Sequence, residues 1–147
     1  DSLDVVMLGA TEVDTSFNVN VHTNSSGAIM GGSGGHSDAA QGAKMAMVVA
    51  PLIRARLPLI RERVQCISTP GDTIDVLVTQ YGLAVNPKRK DLVERFKSAH
   101  LPVFDIRELK EKAEGLSGKP KQKKPQGKKV ADVYYRDGTK IDEIMGL

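Results

Sequence analysis

Residues 31–51 read GGSGGHSDAAQGAKMAMVVAP, in which a glycine run leads into a short polar segment and then into an apolar run. Four glycines in five positions remove the β-carbons from the loop, so a ligand can approach its N–H groups closely and positive φ costs little. Ser37 or Asp38 is placed to cap a short helix. The apolar residues 45–51 are typical of a buried strand. The stretch therefore predicts a glycine loop that opens a helix, which in turn feeds a core strand.

A loop of this composition at the start of a helix can bind a phosphate, a carboxylate or the oxyanion of a reacting acyl group. Its spacing is not that of a dinucleotide-binding fingerprint, because Ser37 stands where the third glycine is needed. It is not a P-loop either, since no Gly-Lys-Ser/Thr sequence follows. These residues leave open both a functional loop and a purely structural turn that lets a strand pass close to a helix.

The whole chain of 147 residues, 40% of them hydrophobic, predicts one principal domain with a single core. No stretch is long and apolar enough to cross a membrane, and no secretory signal is present. The single Cys66 excludes an internal disulfide, and its apolar surroundings predict a buried, unreactive thiol in a cytoplasmic protein. The chain begins at Asp1, just before an apolar strand candidate, so we expect a fragment or a piece of a larger fold.

Short apolar runs between turn residues predict strands at residues 5–8, 17–22, 28–30, 45–50, 64–68 and 74–79. Several of these runs are continuous instead of alternating, which favours a mostly parallel sheet covered by helices, as in α/β folds. Residues 90–99 predict an amphipathic helix with Leu92, Val93 and Phe96 on its apolar face. A second helix is predicted at residues 106–116, with Asp105 as its cap and Gly118 as its end.

The chain divides into three predicted parts. Residues 1–118 form the α/β domain, residues 119–129 form a linker rich in lysine, proline and glycine, and residues 130–147 form a terminal β-hairpin around Asp137-Gly138. The linker holds no apolar residue, so a solvated connection is the first interpretation, and attraction of a polyanion is the alternative. No aromatic residue lies among its lysines to stack on bases, which argues against nucleic acid as a partner.

Two polar residues are candidates for binding a substrate. Between residues 17 and 22 apolar and polar side chains alternate, so Asn20 faces either a pocket beside the glycine loop or a solvated sheet edge. Arg54 belongs to an arginine-rich connection that either meets an acidic substrate or is solvated.

Three segments in a fixed order carry a family resemblance. They are VVMLGATEV at residues 5–13, the glycine segment at 31–44, and IDVLVT with GLAVNP at 74–79 and 82–87. Together they resemble the C-terminal part of family I CoA-transferases, and APLIRARLP at residues 50–58 makes the chain most similar to citrate lyase alpha subunits. The resemblance covers most of this chain but only about the last third of such a subunit.

The resemblance implies a CoA-transferase-like α/β fold and an enzyme, a citrate CoA-transferase. Such an enzyme exchanges acetyl for citryl on the thiol of CoA or of a dephospho-CoA-derived prosthetic group on an acyl carrier protein. The implied partners are citrate and acetate, the acyl carrier protein, the citrate lyase beta subunit and the remainder of the alpha subunit, in an oligomeric complex. The family's catalytic glutamate forms a covalent intermediate, and we expect it upstream of Asp1. Glu12 is the only early glutamate beside a strand candidate, but the resemblance does not place it at that position.

The resemblance also assigns roles within the glycine segment. The N–H groups of Gly34 and Gly35 are the candidate oxyanion donors. Cofactor contacts are expected from Gly31, Gly32, Ser33, His36 and Gln80. Gln80 stands where related transferases often carry an acidic residue, so it offers a hydrogen bond but no ionic contact. No metal site is expected, because His36 has no evident partner ligands.

Two other functions stay open at this point. One is another acyl-CoA transferase or hydrolase that uses a different acid. The other is a non-catalytic binding or assembly module that lacks the catalytic glutamate.

Overall fold

A computed structural model describes residues 3–120 and 125–146. Along the chain its elements are β1 (Leu3–Leu8), β2 (Glu12–Asp14), β3 (Val19–Asn20), α1 (His36–Gly42), β4 (Ala43–Val49), β5 (Ile53–Arg54), β6 (Leu57–Pro58), β7 (Ile60–Arg61), β8 (Val76–Thr79), β9 (Gly82–Val85), α2 (Lys90–Ser98), β10 (Val103–Phe104), α3 (Ile106–Ser117), β11 (Lys129–Tyr134) and β12 (Lys140–Met145). None of the helices in these residues is long and apolar enough to span a membrane.

The main sheet has five strands in the order β1-β4-β8-β9-β10. Strands β1, β4 and β8 are parallel, β9 runs antiparallel to β8, and β10 is parallel to β9. Alternate residues of β4 enter two different apolar clusters, because successive side chains of a strand point to opposite faces. Ala46 and Val48 pack with residues of α1 and α3, whereas Met45 and Met47 pack with α2. The predicted mainly parallel sheet flanked by helices is therefore confirmed.

Three smaller sheets complete the fold of the described residues. Strands β3, β2 and β7 form a second sheet, and β5 pairs with β6 as a short hairpin. The predicted C-terminal hairpin, β11 with β12, is also confirmed. It packs Val133 and Ile144 against Cys66, whose pKa is raised to about 12 by burial and by the charge of Asp142. Cys66 is thus the buried, protonated thiol that its apolar surroundings predict.

Local signals predicted the helices well, with one exception. The second predicted helix is α3, where Asp105 accepts a hydrogen bond from the Arg107 N–H and Glu108 accepts one from the Asp105 N–H. This reciprocal capping box confirms Asp105 as the cap. The predicted helix after the glycine loop forms as α1, but the prediction of Ser37 or Asp38 as its cap was wrong, because the N-cap is Gly35 and no side chain caps the helix.

The strand predicted at residues 64–68 does not form. Side-chain carboxylates take the N–H groups that a sheet ladder would use: Asp14 accepts from Val64, Glu12 from Gln65 and Asp142 from Ile67. Val64 and Cys66 are apolar and buried as predicted, but no ladder forms at residues 64–68. Whereas those three N–H groups donate to carboxylates, the Ser68 N–H donates to a neighbouring strand, at the Val19 carbonyl of β3.

The strand predicted at residues 17–22 is reduced to β3. Phe17 has φ 65, in the left-handed region, and Asp14 accepts hydrogen bonds from the N–H groups of Ser16 and Asn18 in the preceding turn. Asn20 then ends the strand, because its side-chain oxygen accepts from the N–H groups of His22 and Thr23.

The strand predicted at residues 28–30 is a single bridge between Thr23 and Ile29. Asn24 organises the preceding turn, because its side-chain oxygen accepts from the N–H groups of Ser26 and Ala28. Side-chain acceptors close to the backbone therefore replace the predicted ladder.

Strand β1 lies at the edge of the main sheet and not in its centre. Val6 and Leu8 pack against the core, but Leu3 and Val5 are exposed and Met7 is 71% exposed. The prediction of a core strand at residues 5–8 is therefore correct for one face only. The predicted division at residues 119–129 stays a prediction, because residues 121–124 lie outside the described part of the chain.

Candidate functional site

Most of the candidate residues lie at one edge of the main sheet, where the parallel strands β1, β4 and β8 end. His36, at the start of α1, lies 2.9 Å from the carbonyl oxygen of Gly9, which directly follows β1. Arg54 lies in the hairpin that follows β4, and Gln80 directly follows β8. Ligands of open α/β sheets bind outside the carboxyl ends of the strands, so this edge is the candidate site.

The glycine loop of residues 31–35 exposes backbone donors and does not pack against the chain. A β-carbon built at any of its four glycines meets no atom within 4 Å. Nothing in residues 3–120 or 125–146 accepts a hydrogen bond from the N–H groups of residues 32–35. Gly34 has φ 55 and Gly35 has φ −87 with ψ 18, an alternation typical of backbone nests that bind anions. The loop therefore leaves its N–H groups open to a ligand.

Two histidines hold the ends of this loop. The His22 carbonyl accepts from the Met30 N–H at 2.7 Å, and its Nδ1 lies 3.2 Å from the Gly31 oxygen. His36 Nε2 donates to the Gly9 carbonyl, so its Nδ1 accepts from the Thr69 hydroxyl at 2.8 Å. Burial lowers the pKa of His36, opposed by the Gly9 hydrogen bond and reinforced by the charge of His22.

The lowered pKa favours the neutral ring, and the two ring-nitrogen contacts position the loop. A direct cofactor contact through its ring nitrogens requires that one of these two bonds break. Nothing in the local sequence indicates Thr69 as its partner, because the two residues are 33 positions apart.

A buried polar network occupies the second sheet. Arg61 Nε lies 3.2 Å from Glu12 Oε1, close enough for an ion pair, although its N–H is not aligned for a hydrogen bond. Glu12 Oε2 accepts from Asn20 Nδ2 at 3.2 Å and from the Gln65 N–H at 3.1 Å. Asn20 also donates to Thr23 and accepts from two backbone N–H groups. Asn20 is fully buried and committed to these bonds, so it organises the chain instead of offering a group to a substrate.

A cavity of about 310 Å³ opens beside Met30, the residue that directly precedes the glycine loop. Its walls are Thr11, Met30, the turn of residues 24–26 and the hairpin of β5 and β6, where Arg54 supplies a positive charge. The turn residues were not identified from the sequence as binding residues, although their Asn-Ser-Ser-Gly composition indicated a turn. Gln80 is exposed nearby, and its Oε1 accepts from the Leu52 N–H at 2.9 Å, which ties the hairpin to the end of β8.

The structure thus brings the glycine loop, Arg54 and Gln80 to one edge, whereas the Asn20 side chain is buried in the network of the second sheet. No group of three or more His, Cys, Asp or Glu side chains that could hold a metal ion occurs in the described ranges.

Fold and site define an α/β domain that presents a glycine loop and a cationic cavity at the ends of its parallel strands. The family model described as "Citrate lyase, alpha subunit (CitF)" matches residues 1–147, and the chain belongs to that family.

Individual relatives agree with this assignment. The chain is 50% identical to the citrate lyase alpha chain of Haemophilus influenzae over 98% of its own length and 29% of that protein. It is 50% identical to the Klebsiella pneumoniae protein, over 98% of this chain and 28% of that one. A crystal structure of a Streptococcus mutans citrate lyase alpha subunit in complex with citrate superposes with a TM-score of 0.95. Its sequence is 48% identical, and the match covers 99% of this chain and 28% of that one. The chain therefore spans less than a third of the length of these relatives.

Proposed function

We propose that this chain supplies the glycine-loop half of the active site of a citrate CoA-transferase. The enzyme exchanges acetyl for citryl on the thiol of an acyl carrier protein. The observation that carries the proposal is the exposed loop of residues 31–35, with free N–H groups at the carboxyl edge of the sheet. Family membership supports the reaction class. The Streptococcus mutans relative is described as a complex with citrate, which supports citrate as the acid substrate.

In this proposal the N–H groups of Gly34 and Gly35 donate to the oxyanion that forms when a carboxylate attacks the thioester carbonyl. Preorganised N–H donors stabilise such a charge without rearranging during the reaction. The open approach to the loop fits a narrow thioester-bearing arm. CoA or a dephospho-CoA-derived group supplies the thiol that carries the acyl group. Residues 31–33 contact that arm, and Gln80 offers its Nε2 donors, because its Oε1 is already engaged.

The catalytic glutamate of the proposal comes from outside this chain. Glu12 is buried and paired with Arg61, so no incoming thioester reaches its carboxylate. The remainder of the alpha subunit therefore completes the site. The acyl carrier protein delivers the thioester and the beta subunit consumes the citryl product, in an oligomeric complex. The single free thiol fits a reducing cytoplasm.

Mass spectrometry of the carrier protein tests the assignment by following the exchange of acetyl for citryl in the complete subunit. Gly34→Val is expected to lower turnover on the order of 10²-fold or more, because the side chain closes the approach to the oxyanion donors. Gly118→Val is the matched control. Gly118 also has positive φ, 81, and open space around it, but it lies at the end of α3. Equal turnover of the two folded variants would reject the role of the loop.

The burial of Glu12 favours a second candidate for the isolated chain, a binding or assembly module without activity of its own. The same assay separates the candidates when the chain alone is compared with the complete subunit. Transfer only by the complete subunit supports the divided site. Transfer to acetate or succinate but not to citrate indicates another acyl-CoA transferase, and release of the free acid indicates a hydrolase.

A further inference from the structure

The hairpin of β5 and β6 turns through two strained residues. Ala55 and Arg56 have φ 49 and 64, both in the left-handed region. Two-residue turns of this kind normally use asparagine or glycine, because other side chains crowd the backbone there. Leu52 and Leu59 flank the hairpin in sequence and are both buried, which anchors it to the core. The Leu59 N–H donates a hydrogen bond to the Leu52 carbonyl oxygen at 2.9 Å. Backbone strain that the surrounding structure maintains is concentrated at ligand-binding sites.

The strained turn fixes Arg54 at the cavity wall. Arg54 lies directly opposite Leu57 in the pairing of β5 with β6, and opposed residues share one face of a sheet. Both residues line the cavity, whereas Arg56 does not. Within the part of the chain that the structure describes, the Arg54 guanidinium has no ion pair and no hydrogen bond, and only the backbone of this residue is paired, with Leu57. Its guanidinium charge is therefore available to an anion.

The facing wall is the turn of residues 24–26. Asn24 Oδ1 accepts from the Ser26 N–H at 2.9 Å, and the Ser25 carbonyl accepts from Gln65 Nε2 at 3.3 Å. These bonds fix the turn, and the Ser25 hydroxyl makes no hydrogen bond to the described residues. The cavity thus combines a free cation and a free hydroxyl with apolar surface from Met30 and Leu57.

We propose that this cavity binds a carboxylate of the acid substrate, with Arg54 as its cation and the Ser25 hydroxyl as a second donor. The inference rests on the proposed transferase function. A cavity of about 310 Å³ is at the small end of ligand sites, which suits a small carboxylic acid and not a whole coenzyme. Met30 directly precedes the glycine loop, so an acid bound here lies beside the thioester, as acyl exchange requires.

Calorimetric titration of the complete subunit with citrate tests the site independently of turnover. Arg54→Gln is expected to weaken citrate binding on the order of tenfold to a hundredfold, because it removes a charge-assisted hydrogen bond. Ser25→Ala is expected to weaken it about tenfold or less. Arg56→Gln is the matched control, since it removes an equal charge two residues away, outside the cavity, and is expected to change binding about twofold or less.

The acyl-exchange assay then distinguishes a failure of the proposed cavity site from a failure of the proposed function. Wild-type transfer combined with an unchanged KM for citrate in Arg54→Gln overturns the cavity site and leaves the proposed function standing. Citrate binding that depends on Arg54, without any transfer by the wild type, overturns the function and leaves the cavity site standing. Equal effects of Arg54→Gln and Arg56→Gln, or no citrate binding by the wild type, also overturn the cavity site.

Discussion

Replacing Glu12 by glutamine removes the negative charge from a buried ion pair while it nearly preserves shape. The side chains of Glu12 and Arg61 are 2% and 4% exposed, and Oε1 lies 3.2 Å from Nε. Oε2 accepts from Asn20 and from the Gln65 N–H. In one orientation of the glutamine amide its NH2 group faces the Arg61 guanidinium. In the other orientation the NH2 group faces the Asn20 side-chain NH2 and the Gln65 backbone N–H. Either orientation therefore sets donors against donors and leaves the arginine charge unpaired.

Breaking a buried ion pair in this way costs about 3–5 kcal/mol of unfolding free energy. For a chain of this length each kcal/mol lowers the melting temperature by about 2–4 °C, so Glu12→Gln is expected to lose roughly 6–20 °C. Urea unfolding followed by far-ultraviolet circular dichroism measures the free energy directly. Glu94→Gln, at an exposed position on α2, is the matched control and is expected to stay within about 0.5 kcal/mol of the wild type.

Two results would refute this reasoning. A stability loss below about 1 kcal/mol would show that the pair contributes little. Abolished acyl transfer in the complete subunit with unchanged stability would identify Glu12 as the catalytic carboxylate. Addition of Arg61→Met to Glu12→Gln is expected to recover part of the lost stability, because no buried charge is then left alone.

Three further predictions concern other parts of the fold. Gly82→Ala is expected to cost about 2–5 kcal/mol in urea unfolding, because φ is 143 and a β-carbon lies 2.4 Å from the Phe104 ring. The melting temperature is expected to fall as the pH drops below 6.5, since the unfolded state protonates His36 while the folded state, with its lowered pKa, resists the proton. Cys66, with its pKa raised to about 12, is expected to resist alkylation by iodoacetamide at pH 8 until the chain unfolds.

Controls for these three measurements come from the same chain. Gly115→Ala meets no atom within 4 Å and is expected to keep the wild-type stability or raise it slightly. In His36→Gln the melting temperature is expected to decrease less below pH 6.5 than in the wild type. The same pH dependence in both proteins would contradict the assignment to His36. Rapid alkylation of native Cys66 would contradict its burial beneath the C-terminal hairpin.

Structure that depends on local patterns was predicted well from the sequence. Asp105 and Glu108 are three residues apart, so their capping box needs no distant partner. The Asp137-Gly138 turn likewise specifies the terminal hairpin within a few residues. The glycine loop was also predicted from composition, because a run with four glycines in five positions has no β-carbons there to block the approach to its backbone.

Predictions failed where side chains take over backbone hydrogen bonds, from nearby positions at residues 17–22 and 28–30 and from distant ones at residues 64–68. Residues 64–68 have strand-like composition, but Glu12 and Asp142 accept their N–H groups from 53 and 75 positions away. Asn20 alternates with apolar residues as a solvated edge residue does, yet it lies buried against Glu12. The hydrophobic periodicity of a sequence indicates which side chains are exposed to water. It does not indicate which hydrogen-bond acceptor lies beside a given backbone N–H group in the folded chain.

The sequence by itself determined the α/β class, the two amphipathic helices, the terminal hairpin and the position of the glycine loop along the chain. Its ordered motifs also indicated the citrate lyase alpha subunit family, which the family model confirms. Only the tertiary structure decided that Glu12 is paired with Arg61, that His36 locks the loop to Gly9 and Thr69, and that Arg54 faces a cavity. The reason is physical: each of these arrangements joins residues that are far apart in sequence, and they come together only when the strands pair and the connections between them pack.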